Sequence, residues 1–163
     1  MEITVRSKAV QDIPLLELFQ NDGVEKKPMV LLYHGYLGRK EFILPQAYNL
    51  AANDFFVVVP DAYGHGERSS NRIIDLFECI TRSTAEIDDL IDSYKDVKEA
   101  DYNKVGLSGY SMGGCITYLY LTQETKRIQA AVPIISTPDW VSIVDGFDTK
   151  EKLDELKGYG IIK

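Results

Sequence analysis

The chain has 163 residues, 45% of them apolar, and a formal net charge of -7, which suffices for one globular domain with a packed core and not for two. That negative balance, with no Lys/Arg cluster anywhere, excludes a phosphate-tracking nucleic-acid surface. The longest apolar runs, such as Phe55-Phe56-Val57-Val58-Val59, fall far short of the ~20 residues that span a bilayer, and Met1-Glu2-Ile3-Thr4-Val5 lacks a charged-then-apolar leader pattern, so a cytoplasmic protein without a membrane partner is expected.

In chain order, Glu2 to Arg6 and Ile13 to Phe19 alternate as an N-terminal antiparallel strand pair. After the polar turn Asn21-Asp22-Gly23, the runs Pro28 to Tyr33 and Phe55 to Val59 are apolar without alternation, as in strands of a parallel sheet covered on both faces. Pro45 to Ala52 between them reads as a helix with proline in its first turn, which completes a βαβ unit. Ser83-x-x-Glu86 has the form of a capping box, and Ile87, Leu90, Ile91, Tyr94 and Val97 follow at helical spacing. Lys104 to Ser108 is the next strand, Met112 to about Glu124 the next helix, and Ile128 to Ile135 a further strand. This alternation predicts an α/β class, doubly wound and mostly parallel, with its core over 1–136. The remainder, 137–163, reads as the start of a cap or connecting segment, with a short helix near Asp139 to Val144 and a charged one over Lys150 to Lys157.

The chemistry concentrates at Gly109-Tyr110-Ser111-Met112-Gly113, placed between an apolar strand and a helix. A G-x-S-x-G stretch in that setting reads as a nucleophile elbow, in which glycines allow the sharp turn and the helix N-terminus favours a developing oxyanion. Ser111 is then the nucleophile and the Met112 N–H one oxyanion donor. The second donor is expected from His34-Gly35-Tyr36-Leu37-Gly38, directly after the strand ending at Tyr33, with the Tyr36 N–H as candidate. A third turn-rich loop, Pro60-Asp61-Ala62-Tyr63-Gly64-His65-Gly66-Glu67-Arg68, stands at the strand ends where ligands gather. There His65 is expected to pack or hydrogen-bond within the loop, and Asp61 to satisfy loop N–H groups. Cys79 and Cys115 have no ligand-like spacing with each other or with His34 and His65, so they read as buried free thiols and no metal site is expected.

Three motifs in order, H-G-Y-L-G, P-D-A-Y-G-H-G-E-R and G-Y-S-M-G-G, make the chain resemble an α/β-hydrolase. It is most similar to the small bacterial carboxylesterases near the dienelactone-hydrolase and prolyl-oligopeptidase-like branch. The resemblance implies a serine hydrolase without cofactor or metal, whose Ser111 attacks the carbonyl of a small ester, is activated by a histidine oriented by an acid, and passes through an acyl-enzyme. A thioesterase or peptidase would share that serine mechanism.

One departure stands out. In such hydrolases the triad runs serine, acid, histidine along the chain, yet no histidine follows Ser111. Asp139 is a candidate acid, although Pro138-Asp139-Trp140 reads equally as a helix-starting turn. The last strands of the fold are absent, which would leave Ile128 to Ile135 as an apolar sheet edge prone to self-association into a homo-oligomer. The expected explanation is a fragment of a longer hydrolase. The rivals are a fold completed by another chain and an inactive relative that serves as a binding module.

Overall fold

The computed structural model describes residues 2–70, 74–123 and 127–139, with 154, 157 and 158. Of the expected tail helix over 150–157 only 154 and 157 are described, and Trp140 and most of the expected cap segment lie outside the described residues. The described chain forms one six-stranded sheet, ordered β1-β2-β4-β3-β5-β6. Strand β1 (Ile3–Val10) pairs antiparallel with β2 (Ile13–Gln20). It runs further than the alternation of its first residues predicts because its polar second half is tied down by charge. Arg6 Nε and Lys8 Nζ reach Glu17 Oε2 and Oε1 at 2.6 and 3.0 Å, and Glu17 is fully buried in β2. The Tyr94 hydroxyl also donates to Glu17 Oε1, at 2.9 Å. Burial first, then the Glu17 carboxylate, raise the Tyr94 phenol well above its ordinary range, so it keeps its proton.

β2 meets β4 (Phe56–Pro60) antiparallel, and β4, β3 (Lys27–Tyr33), β5 (Ala100–Tyr110) and β6 (Ile128–Ile134) are parallel neighbours. The mixed α/β sheet with an N-terminal antiparallel pair is therefore the one the sequence predicts. Two helical layers cover it. Helix α1 (Leu44–Ala51) lies on one face, where Ala47 and Ala51 pack with Leu16, Leu18, Val57 and Val59. Helices α2 (Leu76–Ala85), α3 (Ile87–Asp92) and α4 (Met112–Leu121) lie on the other, over the larger core that includes Leu31, Val58, Leu107 and Ile116.

The capping-box reading is corrected here. Ser83 is buried inside α2, and its hydroxyl accepts the Tyr63 N–H at 2.8 Å, so it is committed to a loop and caps nothing. The cap of this region is Asp75, whose Oδ1 accepts from the N–H groups of Phe77 and Glu78 at the start of α2. The helical spacing that continues to Val97 is kept beyond α3 by tight turns rather than by α-helix: Tyr94 N–H bonds Ile91 O and Val97 N–H bonds Tyr94 O. Those turns keep Tyr94 fully buried.

Candidate active site

Ser111 joins the last residue of β5 to the first of α4, with φ 52° and ψ -111°. A left-handed φ is costly for a residue with a Cβ, of order 1–3 kcal/mol, and persists only where the surroundings over-determine it. The surroundings do so. The Ser111 N–H donates to Ile134 O at 2.9 Å, and Ser111 O accepts the Cys115 N–H at 3.0 Å in the first turn of α4. A Cβ on Gly109 would collide with the Gly113 backbone, and one on Gly113 would collide with the Tyr33 carbonyl. The two glycines of the pentapeptide thus let the end of β5, the start of α4 and the end of β3 converge. Ser111 is left exposed at the rim. Met112 is the first helical residue, so its N–H is one of the donors that a helix cannot satisfy internally.

The second loop lies against this turn. Gly35 approaches so closely that a Cβ there would stand 3.6 Å from Ser111 Cβ. The Gly38 N–H closes a turn on Gly35 O at 3.0 Å, and Leu37 takes a left-handed φ of 59°. The Tyr36 hydroxyl donates to Ile74 O at 2.9 Å, and its ring meets His65 edge-on at 5.3 Å. Tyr36, Phe42, His65 and Ile74 are among the walls of a cleft of about 370 Å3.

Both histidines serve this loop system. His34 is fully buried. Its Nδ1 faces the Gly35 carbonyl at 2.8 Å and therefore donates, while Nε2 accepts the Ala62 N–H at 3.1 Å. That assignment makes it a neutral imidazole, and burial, the largest effect, holds its pKa below the ordinary value. His65 Nδ1 lies 2.9 Å from Tyr63 O, and the ring stands against those of His34 and Tyr36. Among the described residues no side chain is hydrogen-bonded to Ser111 Oγ.

Asp61 is fully buried beneath the two loops. Its Oδ1 accepts the Lys40 N–H at 2.9 Å and its Oδ2 the Glu67 N–H at 3.0 Å. The unforeseen partner is the Lys40 ammonium, also buried, which lies 2.7 Å from Asp61 Oδ2 and 2.5 Å from Glu67 Oε1. Burial works to lower the Lys40 pKa, and the hydrogen bonds of Asp61 and Glu67 outweigh it, so the net shift is upward and Lys40 stays charged. Arg68 grips Glu86 with both terminal nitrogens, at 2.9 and 2.5 Å, and fastens the same loop to the end of α2. Asp139 is exposed, its N–H donating to Thr137 Oγ1 at 3.0 Å.

A family model described as serine aminopeptidase, S33, matches residues 24–139, the stretch that carries every element of this site. The chain belongs to the serine aminopeptidase S33 family. This S33 chain is 28% identical over 165 residues to a Bacillus subtilis (strain 168) protein named "Putative esterase YitV", a match that covers 98% of this chain and 62% of the relative. The chain therefore spans less than two thirds of that relative's length. Among solved structures it is similar to a "Putative Dienelactone Hydrolase" from Klebsiella pneumoniae subsp. pneumoniae MGH 78578, with TM-score 0.70, 18% identity, and coverage of 84% of this chain and 61% of that one. It is also similar to Est1E from Butyrivibrio proteoclasticus, solved with ferulic acid, with TM-score 0.67, 21% identity, and coverage of 88% and 57%. At those identities the likeness establishes the α/β-hydrolase fold of this S33 chain. Among the described residues no helix is long and apolar enough to cross a membrane.

Proposed function

We propose that Ser111 is the nucleophile of a serine hydrolase of carboxylic esters, with the Met112 and Tyr36 N–H groups as oxyanion donors. The observation that carries this reading is the Ser111 backbone, held at a left-handed φ on an exposed strand-to-helix turn with the 34–38 loop against it. Ser111 Oγ adds to the ester carbonyl, the alcohol leaves with the serine proton, and water then releases the acid and regenerates the serine. Neither histidine of the chain is bonded to Ser111, since His34 spends both ring nitrogens on backbone groups and His65 Nδ1 lies against Tyr63 O; the reading therefore takes the activating histidine from outside the 163 residues and keeps exposed Asp139 only as a candidate acid. The reading includes a small-molecule ester substrate, no cofactor and a cytoplasmic location, the last supported by Cys79 and Cys115 being buried free thiols.

Without its general base such a site keeps only the catalysis of oxyanion hole and binding, roughly 10^3–10^4-fold over water, so reaction with a fluorophosphonate should be slow and still site-specific. Intact-mass spectrometry after prolonged incubation tests it. One adduct per chain that vanishes in Ser111→Ala supports the nucleophile; no adduct, or one that survives the substitution, overturns it. The engagement of His34 favours a second reading, a pocket that binds without turnover. It requires ligand affinity unchanged in Ser111→Ala beyond a small contact effect.

A further inference from the structure

Beside the elbow, the cleft of about 370 Å3 is lined from the 34–38 loop, the short helical turn Lys40–Ile43 that follows it, and the 61–68 loop. The chain reaches it one residue after touching the nucleophile: Gly35 packs against Ser111, and the Tyr36 ring is already a wall. That wall is fixed, because the Tyr36 hydroxyl is spent on Ile74 O and the ring stands edge-on to His65. Gly64 has a left-handed φ of 72°, and a Cβ on it would strike the Ile74 side chain, so the 61–68 loop lies directly on Ile74. Phe42 supplies a second flat wall, 61% exposed, with the Arg39 guanidinium 4.9 Å from its ring centre.

Size and one buried atom give the chemistry of the ligand. Ligand pockets run from about 300 to about 1,000 Å3, and a cleft at the small end holds a group of about one ring rather than a long acyl chain. The atom belongs to His65, which lines the cleft and is only 6% exposed. Its Nδ1 lies 2.9 Å from Tyr63 O, which can only accept, so Nδ1 carries the proton. In the neutral ring Nε2 is then a lone-pair acceptor, and it has no hydrogen bond to any described residue. Among the described residues, the unpartnered side-chain polar atoms sealed away from solvent are Gln46 Oε1 and Ser136 Oγ. Nε2 is not one of them, so the cleft reaches it. A buried acceptor left unpaired is costly, and a group that fills the cleft gains by donating to it. A hydroxyl can donate; an ether, a carbonyl or a carboxylate cannot.

We propose that the cleft is a subsite for a ring-sized, hydroxyl-bearing group whose O–H donates to His65 Nε2, with its ring against the Tyr36 and Phe42 walls. That the group is part of an ester rests on the proposed function; its recognition does not. His65 is then a residue of substrate selection. The hydroxyl belongs to a phenol or to a sugar, and the probes distinguish the two. Phenol and methyl glucoside, each beside its fully O-methylated counterpart, are titrated into the isotope-labelled 163-residue chain, with binding read at the backbone amides of Leu37, Gly38, Gly64 and Gly66. At least one hydroxylated probe should shift those amides and bind about fivefold or more tightly than its methylated form, and the tighter of the two names the source. His65→Asn, which keeps a donor for Tyr63 O and removes the acceptor, should abolish that preference. Phe42→Ala, at an exposed side chain whose loss the fold tolerates, should weaken hydroxylated and methylated probes alike by about threefold or more. The proposal is overturned by equal binding of hydroxylated and methylated probes, by a preference that survives His65→Asn, by affinities unchanged in Phe42→Ala, or by the absence of shifts at these amides. None of these readouts involves Ser111; probes that bind here while Ser111 takes no fluorophosphonate adduct count against the proposed function alone.

Discussion

His34 shows how a motif residue can be placed by its neighbours rather than by the reaction. As a neutral ring between Gly35 O and the Ala62 N–H it holds two loops together, and its pKa lies below the usual 6.5. The unfolded chain therefore takes up a proton at this site before the folded chain does. The stabilisation is complete above the unfolded value and declines as pH falls through the window beneath 6.5, by up to about 1.4 kcal/mol per pH unit. Urea unfolding at about pH 7.5 and about pH 5.5 should show a larger loss for the native chain than for His34→Gln; equal losses would assign the dependence to carboxylates. The H-G-Y-L-G motif placed this loop in the sequence, because glycines after an apolar strand mark a turn. Lys40 was not legible. Nothing local distinguishes a lysine that will be buried against Asp61 from one on a solvated surface, since its partner is 21 positions away and only the fold brings them together.

At the scale of elements, the parallel strands were readable because β3 and β4 are buried on both faces and show it as continuous apolar runs. Helix α2 was not, because Thr81, Ser83 and Thr84 interrupt its pattern and Ser83 mimics a cap. In the structure Thr81 and Thr84 turn their hydroxyls back to Phe77 O and Ile80 O, four residues earlier, which lets polar side chains sit in a buried helix. The elbow was legible as a sequence, while the reason for its second glycine appears only in three dimensions. Gly113→Ala would drive a methyl into the Tyr33 carbonyl and to 2.9 Å from His34 O, both fixed backbone. It should cost about 1–3 kcal/mol and slow any labelling of Ser111. Gly106→Ala, whose new contacts are ordinary at 3.6 Å, should be neutral or stabilising. Matching urea midpoints for the two variants would refute this account of the elbow.

Over the whole molecule, the described sheet closes on the β1 side with a charged hairpin and stays open at β6. Ser108 Oγ and the Ser111 N–H donate to the carbonyls of Val132 and Ile134, so those two residues face β5 and Pro133 between them faces outward. A proline on that outer side offers no donor, which blunts strand addition at the edge. The face of β5 and β6 that carries Gly106, Ala130 and Val132, the last 56% exposed, is then the better contact, and the homo-oligomer expected at an open edge should form through that face. The net charge of -7 opposes such association over a distance set by salt. Sedimentation of the 163-residue chain should give a mass that rises with concentration, and rises further at about 0.5 M salt as repulsion is screened. Val132→Lys should suppress the rise, because it sets a charge on the apolar face where two copies would meet. A monomer at all salt concentrations, or a Val132→Lys variant that associates as before, would show that the open face is tolerated by the chain alone and that the contact lies elsewhere.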